Sequence, residues 1–196
     1  MTQTPVRGRL QLVLLALLFS APLVMAMVLF FVAPEWRPDG QTNYGELVHP
    51  AQPLPEPQWV NAEGETVGLA AIRGRWNWVM PVSGNCDSAC EAALYDLRQA
   101  RTLLNDKRPR LRRIVLVERV DQVAPLQQRL AELHPDLQIY APAPGDEAAA
   151  LLPEAPAGTV YVIDPLGNLM MRYAPQPDLT KVLKDIKRLM RLSQIG

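Results

Sequence analysis

An uncharged apolar run from Leu12 to Ala33, LVLLALLFSAPLVMAMVLFFVA, constrains this chain before anything else does. As a helix rising about 1.5 Å per residue it spans roughly 33 Å, enough to cross the hydrocarbon core of a bilayer. A cleaved secretion signal is the rival reading, with Val24-Met25-Ala26 as its small-residue site. Cleavage there leaves MVLFFVA at the new N-terminus, and the apolar regions of signals are shorter, about 7–15 residues. The run is therefore read as an uncleaved transmembrane helix, residues 12–33, behind a short N-terminal segment, residues 1–11. Pro22 falls mid-span, where membrane helices tolerate it, and Trp36 falls where an interfacial aromatic belongs. Arg7 and Arg9 precede the run and only Arg37 follows it closely. The positive-inside rule then puts the N-terminus in the cytoplasm and exports the rest, to the periplasmic face of a bacterial inner membrane.

The chain carries 20 basic and 20 acidic residues, and with Arg7 and Arg9 set aside the remainder is slightly acidic. A nucleic-acid partner has no electrostatic support in such a balance. Residues 34–57 contain Pro38, Pro50, Pro53, Pro55 and Pro57 among polar neighbours, a composition that favours an extended spacer over a packed element. About 140 residues, 58–196, remain for a folded body, the size of one domain.

That body opens with QWVNAEGETVGLAAIRG, two short alternating runs around turn signals at Asn61 to Gly64, which predict a β-hairpin. Arg75 to Val82 reads as a strand, followed by a Ser83-Gly84-Asn85 loop and Cys86. From Ala89, the residues Cys90, Ala93, Leu94, Leu97, Ala100 and Leu104 recur at helical spacing, and the helix ends before Pro109. Ile114 to Val117 is an apolar run expected of a strand buried on both faces of a parallel sheet. Val123, Leu126, Leu130 and Leu133 mark a further helix, stopped by Pro135. A short Ala-rich helix is expected from Asp146 to Leu152. Thr159 to Ile163 and Asn168 to Arg172 read as a hairpin, because Asp164-Pro165-Leu166-Gly167 has the residue order of a type I turn. Asp178 caps a last helix, with Leu179, Val182, Leu183, Ile186 and Leu189 on one face. Its basic residues, Lys181, Lys184, Lys187, Arg188 and Arg191, read as a solvated face that complements the helix dipole. A βαβ unit, then a hairpin and a terminal helix, with cysteines where the first strand passes into the first helix, is the thioredoxin-like order of elements. The fold class is α/β.

Cys86 and Cys90 are the only cysteines, placed as C-D-S-A-C at a helix start. A structural disulfide is the plain reading, but closing a loop of about five residues gains only about 2 kcal/mol by chain entropy, roughly half of what a 100-residue loop gains. Function has a better physical basis, since helix N-terminal N–H groups stabilise a thiolate, and thiolate is both nucleophile and soft metal ligand. Cys90 shares the apolar stripe of Ala93, Leu94 and Leu97, so it is expected to be the buried thiol, and Cys86, in the loop, the exposed attacking one. Two cysteines four apart are close enough to chelate Cu(I).

In these features the chain resembles the Sco (SenC) family of copper-handling cytochrome c oxidase assembly proteins. The shared features are an N-terminal anchor, a thioredoxin-like body, a C-x-x-x-C pair at the first strand-to-helix turn, and the V-Y-V-I-D-P-L-G-N hairpin. The resemblance covers roughly Gln58 to Leu192. It implies a role in building the copper A centre, by passing Cu(I) or by keeping target thiols reduced. An oxidase subunit or another copper or thiol assembly factor is the implied partner, beside the bilayer itself. Any catalysis is at most thiol-disulfide exchange.

The chain also departs from that family. Its histidine ligand, eight residues before the hairpin aspartate, is replaced by Pro156, with Ala155, Ala157 and Gly158 beside it. Asp87 and Glu91 stand where the family usually has proline after each cysteine. Its acidic Asp-Pro-x-Arg-Asp segment is reduced to Glu118-Arg119-Val120-Asp121. His49 in the spacer reads as solvated, His134 as part of a turn, and Met80, Met170 and Met171 as strand core residues. Asn85 and Asp87 flank the thiols. Two other readings stay open: a general exported thiol-disulfide oxidoreductase, against which no proline immediately precedes the Thr159 strand, and a thioredoxin-like scaffold without chemistry.

Overall fold

The apolar run forms one helix, α1 (Pro5–Phe31), in a computed structural model that describes residues 5–32, 43–56, 58–145, 152–193 and 195. Proline is favoured in the first turn of a helix, so the helix starts ahead of Leu12 and takes in Arg7 and Arg9. From Gly8 to Phe31 it is long and apolar enough to cross a membrane, and its side chains are almost all exposed. The chain divides into two units, residues 1–42 and 43–196.

The second unit is built on one mixed sheet in the order β1-β8-β7-β4-β5-β6-β2-β3. Strand β4 (Trp76–Val82) pairs in parallel with β5 (Leu111–Val117), and β5 with β6 (Leu137–Pro142), through the crossover helices α2 (Ser88–Thr102) and α3 (Val123–Leu130). On the other side of β4, the antiparallel hairpin β7 (Val160–Ile163) and β8 (Asn168–Tyr173) completes the thioredoxin-like core, and α4 (Leu179–Leu192) closes it. The first predicted hairpin is β2 (Trp59–Val60) and β3 (Thr66–Val67), added antiparallel to the β6 edge.

Alternation along β4 shows why this strand is central. Trp76, Trp78, Met80 and Val82 point into one core with Leu94, Leu97, Val162, Val182 and Ile186, beneath α2 and α4. Val79 points the other way, into a second core with Leu54, Trp59, Ile72, Ile114 and Tyr161. Burial on both faces is what a nearly continuous apolar strand requires. Both cores lie wholly within residues 43–196.

Local chemistry fixes the connections. The Asp164 carboxylate accepts from the backbone N–H of Leu166 and Asn168 and from the Asn168 side chain, and Gly167 N–H closes the turn on Asp164 C=O at 3.1 Å. The Asp178 carboxylate caps α4 by accepting from Thr180 N–H at 2.8 Å. Met80 and Met171 are core residues, as the sequence indicates, and Met170 is partly buried against the same core.

Within the expected spacer, the described residues 43–56 are packed against the body. Residues 34–57 were expected to be extended and unpacked, yet β1 (Glu46–Pro53) forms an edge strand antiparallel to β8. Proline is tolerated on an edge, where one row of backbone groups has no partner strand. The attachment is specific: the buried Asp185 carboxylate accepts from Tyr44 N–H and Gly45 N–H, each at 2.9 Å, and from the Tyr173 hydroxyl at 3.1 Å. Glu46 makes a two-pronged pair with Arg172, and Leu54 is buried with its N–H on Gly167 C=O. A Cβ at Gly45 would meet the Met171 sulfur at 2.4 Å and the Tyr173 ring at 2.7 Å, so a side chain there would have to push both aside. Strand β6 was not anticipated, and the expected helix at Asp146 to Leu152 lies, but for Leu152, outside the described residues.

Candidate thiol and copper site

Strand β4 ends at Val82, and Gly84, with φ of +68°, reverses the chain so that Cys86 drops back against the core. Only glycine adopts that left-handed backbone without strain. Asp87 then caps α2, its carboxylate accepting from Cys90 N–H at 2.9 Å, and Cys90 sits in the first turn. The two cysteines form a disulfide with their Cα atoms 5.2 Å apart.

Burial of the pair reverses the sequence expectation. Cys86 is only 2 % exposed and belongs to the main core cluster, whereas Cys90 is half-buried. Position in a loop suggested exposure for Cys86, but the Gly84 reversal turns its side chain inward, where α2 and α3 wall it in. Cys90 borders an apolar groove of about 170 Å3 shared with Met80, Pro81, Ala157, Gly158 and Pro175. Cys86 lines a separate cavity of about 460 Å3 with Arg119, Pro125, Leu126 and Arg129.

Arg129 is the residue sequence reasoning missed. Its guanidinium donates to Cys86 C=O at 2.7 Å and lies 3.6 Å from the Glu91 carboxylate, joining α3 to the cysteine loop. Arg129 thus anchors the backbone of the cysteine loop to α3, with its charge paired to Glu91 of α2. Its helix position, one turn beyond Leu126, was legible, but its partner across the fold was not. At the mouth of the same cavity Arg119 pairs with Asp121, and this pairing holds the Asp121 carboxyl below its ordinary range.

The histidines are elsewhere. His49 is exposed on β1, and three strand spacings, about 14 Å at about 4.8 Å each, separate β1 from β4. His134 is buried in the turn between α3 and β6, its ring Nδ1 3.3 Å from Arg113 Nη1. Burial, then the nearby Arg113 charge, pushes its pKa down, which favours the neutral ring. Pro156 lies in the loop before β7, and Ala157 and Gly158 beside it line the Cys90 groove, so that wall offers no side-chain donor. Among the described residues no group of three or more His, Cys, Asp or Glu could hold a metal ion. The residues brought together are therefore Cys86, Cys90, Asp87, Glu91 and Arg129. A larger cavity of about 670 Å3, between the start of β1 and the start of α4, is lined by no cysteine.

Comparison with known proteins places the fold. A family model described as transmembrane-like, thioredoxin-like, C-terminal domain matches residues 76–193. No curated protein matches the sequence. Among solved structures, apo Sco1 from Thermus thermophilus is 18 % identical with a TM-score of 0.60, over 78 % of this chain and 99 % of its own. Yeast Sco1 with copper bound is 13 % identical with a TM-score of 0.59, over 72 % and 90 %. ScoI from Bradyrhizobium japonicum with copper bound is 15 % identical with a TM-score of 0.56, over 69 % and 98 %. At these identities the likeness is one of fold, and the fold is thioredoxin-like.

Proposed function

The chain belongs to the family of transmembrane-like, thioredoxin-like C-terminal domains, and from that premise we propose that it is a membrane-anchored assembly factor for the copper A centre of cytochrome c oxidase. It is held in a bacterial inner membrane by α1, with residues 43–196 in the periplasm, and it works through Cys86 and Cys90. The observation that carries this reading is the juxtaposed thiol pair at the start of α2, in a fold shared with Sco proteins that were solved with copper bound.

Two routes use the same atoms. As a dithiol, the pair reduces a client disulfide: one thiolate attacks, a mixed disulfide forms, and the second thiolate displaces the client sulfur. The client leaves as a dithiol and the chain is left with the Cys86–Cys90 disulfide, which an exported dithiol reductant must return to thiols. As a carrier, the reduced pair takes Cu(I) as cargo between two sulfurs, a soft ligand set that suits Cu(I) and leaves Cu(II) short of nitrogen or oxygen donors. The distant His49 and the buried His134 support a site of two sulfurs alone.

The test is competition between the reduced chain and a Cu(I) chelator. One Cu(I) per chain is expected, lost in either Cys86→Ser or Cys90→Ser and unchanged within a few-fold in His49→Ala. Tight Cu(II) binding that His49→Ala abolishes overturns the two-sulfur site. If no copper binds but the pair reduces an oxidised oxidase copper A domain, the thiol route alone stands. Failure of both removes the proposed function.

A further inference from the structure

The sequence shows a row of cations on α4, and the fold brings Lys107 from a second segment beside it. Lys107, on the 3-10 turn Asn105–Arg110, lines one open cavity of about 420 Å3 together with Lys184, Lys187 and Arg191 of α4; Asp106 is the one acidic residue in its wall. Arg110 holds the two segments together by donating to the carbonyls of Met190, Ser193 and Ile195. Among the described residues, none of Lys107, Lys184, Lys187 and Arg191 forms an ion pair. Two large apolar side chains beside these segments stand out to solvent: Leu103, just ahead of the turn, is 55 % exposed and Leu192, at the end of α4, is 72 % exposed.

We propose that this basic end of the domain docks on anionic phospholipid headgroups. Cations alone describe a solvated face, as the sequence reads. Cations converging from two segments, left without carboxylate partners and edged by exposed leucines, have the makeup of a surface that meets charged headgroups and the acyl boundary beneath them. The occupant follows from what the chain brings with it. A candidate membrane span lies on the same polypeptide, so a bilayer is present at high effective concentration, while residues 43–196 carry no excess of positive charge as a whole. The attraction is local, and its counterpart is an anionic surface.

Geometry gives the docking a consequence. Helix α2 begins at the cysteine pair and ends beside Leu103; its 15 residues rise about 22 Å at about 1.5 Å each. Helix α4 runs the same way, from Leu179, just after Pro175 and Gln176 of the Cys90 groove, to Arg191 at the basic end. Docked by the basic end, the domain presents Cys86 and Cys90 on the side away from the lipid.

Hydrogen–deuterium exchange on the full chain tests this, in nanodiscs of phosphatidylcholine alone and of phosphatidylcholine with phosphatidylglycerol. Residues 103–110 and 184–193 should exchange at least about fivefold more slowly in the anionic discs, the scale set by a single cation near a charged bilayer. The protection should vanish at about 0.5 M salt. It should also vanish in the combined variant Lys107→Gln, Lys184→Gln, Lys187→Gln, Arg191→Gln, and survive when the three lysines become arginine. Slow exchange of β4 and β5 in each variant verifies that the fold is intact. Equal exchange in the two discs overturns the proposal, as does protection that persists in the glutamine variant.

Discussion

Which sulfur meets solvent is decided at the level of single residues, by a glycine and an arginine rather than by the cysteines. Gly84 turns Cys86 inward and Arg129 holds its carbonyl, while Cys90, one turn along α2, faces the groove under Ala157 and Gly158. In the reduced chain Cys90 should therefore be alkylated faster than Cys86, by about tenfold or more, because reactivity follows access as well as thiolate fraction. Mass spectrometry of briefly alkylated protein reads this directly, and equal or reversed labelling would contradict the burial order. His134 offers a second test, unconnected with the thiols. Its folded-state pKa lies below the unfolded value of about 6.5, so between those two values the unfolded chain binds more protons and stability falls as pH drops. The neighbouring Asp136 carboxyl, which burial alone would raise, is held low by Arg113 and Arg101, so its contribution is lost only at more acid pH. Urea unfolding at pH 7.5 and pH 5.5 should show a loss in the parent that is smaller in His134→Asn, which keeps an acceptor for Arg113. Parallel losses in both would assign the acid sensitivity to other groups.

At the scale of elements, periodicity carried most of the information. The β4, α2, β5, α3, β7, β8 and α4 elements could all be read from apolar spacing, turn order and caps, since each buries its own pattern against a neighbour. Cys86 and Cys90 were legible as a pair, but not their relative burial, which depends on how a loop packs on α3. Strand β1 was not legible because its prolines describe the chain's local preference, whereas its place is set by Asp185, more than a hundred residues away, and by Arg172. Strand β6 was missed for a related reason: Leu137, Ile139 and Ala141 alternate inward, but only between Pro135 and Pro142. The β1 finding is testable by truncation. A chain starting at Asn43 should fold with full stability, whereas one starting at Gln58 loses the β1 edge and Leu54 and leaves the buried Asp185 carboxylate without two of its donors. A loss of about 3 kcal/mol or more is expected from the unpaired carboxylate together with the lost apolar burial. Equal unfolding midpoints for the two would return residues 43–57 to the role of a spacer.

For the whole molecule, sidedness ties the candidate membrane span to the proposed chemistry. A disulfide between Cys86 and Cys90 persists in an oxidising compartment and is kept reduced in the cytosol, so the same pair has a different resting state on each side of the membrane. The proposed orientation rests on Arg7 and Arg9 before the apolar helix, against Arg37 alone shortly after it, a balance that by the positive-inside rule would retain the N-terminus inside and send residues 43–196 outside. A reporter that is active only in the periplasm should accordingly be active when fused after Ile195 and silent when fused before Arg7. Replacing Arg7 and Arg9 with glutamate, and adding arginines after Arg37, should shift part of the population to the opposite orientation. Acid quenching and alkylation of whole cells would then read the chemistry along with the topology. Parent chains should be trapped with a mixture of disulfide and dithiol, which a periplasmic reductant would set, and the inverted fraction as dithiol alone. An active reporter at the N-terminal fusion, with a silent one after Ile195, would place the domain on the cytoplasmic side and remove both the exported client and the copper A proposal with it.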